Sequence, residues 1–124
     1  MRGTNEADAF EEAVRQRDAG RFDEALVTLA VLQNASDPTT RGVGWGEAGA
    51  ILFFDLGRVD EAIEALTKSV ALAPRAELPS LYLFHALWKV GRVDDAFDEA
   101  RRLLRQRPSD EYRRLMREIT ATDD

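Results

Sequence analysis

The chain reads as an all-α protein, a right-handed alpha-alpha superhelix (solenoid) of three helical hairpins closed by a C-terminal capping helix. Three observations predict this. A six-residue phrase occurs three times, as Gly20-Arg21-Phe22-Asp23-Glu24-Ala25, Gly57-Arg58-Val59-Asp60-Glu61-Ala62 and Gly91-Arg92-Val93-Asp94-Asp95-Ala96. The second and third copies lie 34 residues apart, and Pro74 and Pro108 repeat at the same distance; self-similarity at such a period marks stacked supersecondary units. On both sides of each copy, apolar residues recur at helical spacing rather than in strict alternation.

Each phrase reads as the turn of a helical hairpin. Glycine can take the left-handed conformation that closes one helix, and the acids that follow suit the first turn of the next. Repeat one, about 6–39, has Ala9, Phe10, Ala13 and Val14 before the turn and Ala25, Leu26, Leu29 and Leu32 after it. Asp37-Pro38 is expected to end this repeat. Repeat two is expected over about 43–76. Its phrase follows the first by 37 residues, so three residues are inserted, and a flexible loop at Thr39–Val43 is their expected place. Gly42, Gly44, Gly46 and Gly49 each cost up to about 1 kcal/mol inside a helix, which predicts a ragged start to a first helix carrying Ile51–Phe54. Ala62, Ile63, Leu66 and Val70 follow the turn.

Repeat three, about 77–110, has Leu81–Val90 before its turn and Ala96, Phe97, Ala100, Leu103 and Leu104 after it. Pro74 and Pro108 fall just past the second helices, where a residue without an amide proton stops the segment. A capping helix over about 109–121 begins with Ser109 as N-cap and Asp110 and Glu111 in its first turn. It presents Tyr112, Leu115, Met116 and Ile119 as an apolar stripe for the open end of the stack, with its arginines turned to solvent.

A 34-residue period with glycine in the turn, alanine five residues later and proline near the end resembles the tetratricopeptide repeat family over about residues 6–110. The resemblance implies that Ala25, Ala62 and Ala96 sit where two helices approach closely, with Gly20, Gly57 and Gly91 in the turns and Pro74 and Pro108 at repeat ends. The whole chain, 1–124, is expected to form a single domain of this type. Leu29 and Leu66 fit a position where the family favours a large apolar residue, and Ala100 is undersized there. The family's Trp-Leu-Gly-Tyr pattern is not reproduced, since repeat two offers Gly46, Gly49, Ala50 and Phe53 with Trp45 one place early. Glu12 and Gln16 stand where apolar residues are usual, as expected of a terminal repeat with a wet outer face. Arginine outnumbers lysine fifteen to two, which points to a GC-rich bacterial genome and so to a small bacterial three-repeat protein.

Composition narrows the function. The 124 residues are 44% hydrophobic and 32% charged, which suits one folded domain with a charged surface. A net charge of −6 repels phosphate backbones, so nucleic acid is not the expected partner. Between Arg101 and Arg117, however, seven arginines face two acids, making a locally basic end. Cysteine is absent and His85 stands alone, which leaves no ligand set for a metal. No nucleophile elbow, phosphate loop or dinucleotide fingerprint occurs. Gly42-Val43-Gly44-Trp45-Gly46 lacks the Lys and Ser/Thr of a phosphate loop. The expectation is a non-enzyme with no cofactor. The acidic N-terminal stretch and the lack of an apolar span predict a cytoplasmic protein without membrane insertion.

Stacked hairpins present a concave face lined by first helices, and such faces bind extended or helical peptides. Phe10, Val14 and Arg17, then Glu47, Ile51, Phe54 and Asp55, then Leu81, Tyr82, His85, Trp88 and Lys89 are the expected groove. Tetratricopeptide proteins that grip acidic chaperone C-termini use Lys, Asn and Arg there; Phe10, Val14, Ile51, Leu81 and His85 occupy the matching places, so the expected ligand is apolar or amphipathic. The expected role is a protein-protein interaction scaffold or chaperone-like adaptor. The alternative is a self-associating structural protein whose aromatic patch and capping helix form a homo-oligomer interface; Tyr82 and Trp88 could equally pack against the capping helix or a neighbouring subunit instead of the groove.

Overall fold

The computed structural model describes residues 5–121, and every regular element among them is helical. α1 (Glu6–Asp18) begins at Asn5, whose side chain accepts from the Asp8 amide at 2.8 Å. It packs along α2 (Phe22–Thr28) and α3 (Ala30–Gln33), which are separated only by Leu29. α4 (Pro38–Ala50) runs directly into a π-helical turn (Ile51–Asp55) and lies against α5 (Val59–Leu72). α6 (Glu77–Lys89) pairs with α7 (Val93–Gln106), and α8 (Asp110–Ala121) follows. Contact also continues between pairs, α3 on α4, α5 on α6 and α4 on α6. Neighbour-on-neighbour pairing of this kind is typical of a helical solenoid.

The repeated phrase does one job three times. Gly20, Gly57 and Gly91 have φ of 78°, 64° and 82°, a region most L-residues avoid. After α1, the Gly20 amide turns back to the Arg17 carbonyl and the Arg21 amide to that of Gln16, and Gly91 and Arg92 repeat this onto Trp88 and Leu87. The next arginine reaches the acid three residues on, giving Arg21–Glu24, Arg58–Glu61 and Arg92–Asp95. These exposed pairs add little stability, but the acids sit at the positive end of their helix. Ala25, Ala62 and Ala96 are completely buried, which is why the position stays small.

The inserted residues do not form a loop. Thr39–Val43 is helical, and Asp37-Pro38 begins a helix rather than ending a repeat. Asp37 caps the Thr40 amide at 2.9 Å, and Pro38 occupies the first turn, where no amide proton is needed. The extra length lies in the 13 residues of α4 plus the five of the π turn, against 13 in each of α1 and α6. At the end of the turn the Leu56 amide reaches five residues back, to the Ile51 carbonyl at 3.0 Å.

Nor is the start of α4 ragged. Gly42, Gly44, Gly46 and Gly49 are all buried within it. A Cβ on Gly49 would stand 2.5 Å from Leu66 Cγ, one on Gly46 2.9 Å from Ser69 Oγ, and one on Gly44 2.8 Å from Leu32 Cβ. α5 and α3 therefore rest on bare α4 backbone, and Ser69 Oγ donates to the Gly42 carbonyl at 2.7 Å. Close packing along the helix offsets the weak helix propensity of glycine.

The main core joins the π turn, α5, α6 and α7, with Leu66, Phe84 and Leu103 among its most deeply buried side chains. α8 is attached to it through Tyr112, which is fully buried and meets Phe84 edge-on at 5.8 Å. Ser109 fastens the start of α8, donating to Glu77 at 2.6 Å while accepting from the Tyr112 amide at 3.1 Å. Gln16 also departs from expectation. It is buried, not wet, because Thr28 donates to it at 2.7 Å and it donates to Glu12 at 3.1 Å. A glutamine whose amide is satisfied on both sides replaces the usual apolar residue.

Candidate functional site

α1, α4 and α6 contribute to one common face, and the helical repeat decides what each places there. From α4 come Val43, Glu47 and, past the π turn, Phe54 and Asp55; from α1 come Phe10, Val14 and Arg17; from α6 come Leu78 and Tyr82. Two depressions result. The first lies between α1 and α4, walled by Phe10, Val14, Arg17 and Glu47 over a floor of Ala13, Leu29 and Ile51. The second, about 330 Å³, lies between α4 and α6, walled by Thr39, Val43, Glu47, Glu77, Leu78 and Tyr82 over Gly42, Gly46, Ser69 and Ala73. Glycine at 42 and 46 leaves the floor of this second hollow bare, since side chains there would intrude on Ala73, Ser69 and Pro79.

Glu47 borders both hollows. Burial raises its carboxyl above the ordinary glutamate range, and the Arg17 charge only partly offsets this. Arg17 itself donates through Nε to Asp55 at 2.6 Å, a half-buried pair that ties α1 to the π turn. Phe54 then meets Tyr82 edge-on at 5.1 Å, so the apolar surface continues from the second hollow to the π turn.

The structure therefore brings together Phe10, Val14, Arg17, Glu47, Phe54, Asp55 and Tyr82 of the expected groove. Ile51 belongs to the same region but as floor, only 1% exposed, so it supports the surface without offering itself. Leu81 is half-buried against the core. Trp88 lies elsewhere: it stacks on Phe84 at 5.9 Å and meets Phe97 edge-on at 5.9 Å, which places it on the α7 side of α6, with 40% of its surface open. His85 and Lys89 are exposed farther along α6, and the His85 ring meets Phe84 edge-on. Val43 and Leu78 were not among the expected residues. Val43 fell in the expected loop. Leu78 lies one helical turn before Tyr82, so the spacing Leu78, Tyr82, His85, Lys89 carried the signal.

The basic C-terminal end is largely matched from within. Arg101 pairs with Asp98, Arg102 with Glu99, Arg113 with Asp110 and Arg114 with Glu111, while Arg102 and Arg107 also donate to backbone carbonyls. Among the described residues no group of three His, Asp or Glu side chains is placed to hold a metal ion, and no helix is long and apolar enough to cross a membrane.

Neither a curated protein nor a solved structure matches the chain. Residues 53–119, which include the second and third phrases, all of α5, α6 and α7 and most of α8, match the tetratricopeptide repeat family. The match spans more than half of the 124 residues, and with its glycine turns, buried alanines and neighbour-paired helices the chain belongs to the tetratricopeptide repeat family.

Proposed function

We propose that the protein is a non-catalytic scaffold or adaptor that holds an apolar or amphipathic peptide segment of a partner protein along the α1–α4–α6 face. In this reading three hairpins, α1 with α2–α3, α4 with α5 and α6 with α7, plus α8 as cap, form a short superhelix with that face on its concave side. The observation that carries it is the continuity of exposed apolar surface there. Phe10, Val14, Val43, Phe54 and Leu78 are all exposed, Phe54 at 53% and Leu78 at 58%, and they join through the two hollows and the Phe54–Tyr82 contact. Large apolar groups on a soluble surface are unremarkable when scattered, but a contiguous set with aromatic members marks an interaction site.

The test compares faces. Val14→Asp, Val43→Asp and Leu78→Asp should each weaken binding of apolar peptides by tenfold or more in fluorescence anisotropy. Val27→Asp should leave binding intact, although Val27, on α2, is 75% exposed. Equal effects from both sets would overturn the assignment. A second reading, self-association, is favoured by exposed Trp88 and Val90 at the end of α6 beside the aromatic cluster. It requires a dimer in sedimentation analysis that Trp88→Arg dissociates, and a strict monomer excludes it.

A further inference from the structure

Three carboxylates border the α1–α4–α6 face, and they are not equivalent. Asp55 is neutralised by Arg17 at 2.6 Å. Glu77 accepts a hydrogen bond from Ser109 Oγ at 2.6 Å and serves to hold α8. Glu47 has neither kind of partner: among the described residues no hydrogen-bond donor or paired cation meets its carboxylate, although it is half-buried between two apolar hollows. Arg17 is near enough to moderate its charge but spends its Nε–H on Asp55. Lys89 stands two helical turns beyond Tyr82 on α6. The centre of the face is thus a lone acid set in apolar surface.

We propose that the face selects a partner segment carrying one basic side chain, Lys or Arg, between apolar residues, with the cation on Glu47 and the flanking apolar side chains in the hollows on either side. This rests on reading the face as polypeptide-binding. Charge complementarity is the argument. A cation brought to a half-buried carboxylate replaces the water that burial has already thinned, and forms a charge-assisted hydrogen bond. A lysine or arginine stem can lie along Phe10 or Val43 while its head reaches the acid. An acidic partner would instead meet two unneutralised carboxylates, Glu47 and Glu77.

A library of acetylated, amidated decapeptides tests this, with Leu, Val or Phe flanking a central position that is Lys, Arg, Gln or Glu. Wild-type protein should bind the Lys and Arg sets about tenfold or more tightly than the Gln set, and the Glu set least. Glu47→Gln, checked for wild-type helicity by circular dichroism, should erase the Lys-over-Gln preference while still binding Gln peptides. If wild type binds all four sets equally, or Glu47→Gln keeps the preference, this inference fails and the apolar groove stands. If no set binds at any concentration up to the millimolar range, the groove reading itself fails. A wild-type dimer that Glu47→Gln dissociates would make a second copy the occupant and would also overturn the inference.

Discussion

Gly49→Ala separates two accounts of α4 that differ in sign. If the glycines were tolerated in a loose helix, alanine would stabilise by about 1 kcal/mol through helix propensity. The structure puts the new Cβ 2.5 Å from Leu66 Cγ and 2.6 Å from its Cδ2, inside any contact real atoms keep. Leu66 is fully buried, so relief requires α4 and α5 to separate by roughly 1 Å, with Leu66 leaving its rotamer. Overpacking of this severity costs up to about 3 kcal/mol, which leaves a net loss of about 2 kcal/mol after the propensity gain. With an unfolding entropy of about 0.26 kcal/mol/K for a chain of this length, the midpoint should fall by about 8 °C. Gly42→Ala provides the internal comparison: its Cβ would meet Ala73 Cβ at 3.0 Å, so the two terms should nearly cancel and Tm should move by only a few degrees. Thermal denaturation by circular dichroism reads both. A Gly49→Ala variant that melts at or above wild type refutes the close packing of α4 on α5.

Tyr112→Phe tests how α8 is held. Ser80 has one proton, which it gives to Glu99 at 2.6 Å, so the buried Tyr112 hydroxyl is the donor in its 2.8 Å contact with Ser80. Its loss should cost about 1 to 1.5 kcal/mol and speed hydrogen exchange in α8 ahead of α4 and α5; unchanged exchange there would contradict the attachment. Glu47→Gln has a signed pH dependence. Burial raises the folded-state pKa of Glu47 above its unfolded value, with Arg17 lowering it less, so wild-type stability falls as pH rises from the ordinary glutamate range through the folded pKa. Glu77 borders the same hollow and adds to the negative potential there. The variant should therefore melt higher than wild type at neutral pH, and the two should converge below about pH 4; a lower melting point at neutral pH would show that Glu47 is stabilised by a partner.

The hairpin turns and the small buried alanines were legible because one chain carries both cause and signature: a glycine that must adopt positive φ, an acid one turn later, and a repeat that states them three times. α4 was not. Its glycines look like helix breakers until α5 and α3 are placed against them, since the reason for a missing Cβ lies on another helix. The same holds for Gln16, whose burial depends on Thr28 across the hairpin. The side chains on the shared α1–α4–α6 face were legible only in part. Phe10, Val14, Glu47 and Tyr82 follow from helical spacing, but a rotation of about 100° per residue is enough to move Trp88 from that face to the Phe84 and Phe97 cluster. The π turn was likewise invisible, and it is what places Phe54 beside Tyr82 and Asp55 beside Arg17.

The most direct measurement is a 15N–1H correlation spectrum of the protein titrated with the tightest decapeptide of the Lys series. The account predicts shifts concentrated at Val14, Val43, Glu47 and Tyr82, with Val27 in α2 and Arg101 in α7 unmoved. Shifts centred on α2 and α7 with a silent α1–α4–α6 face would contradict it.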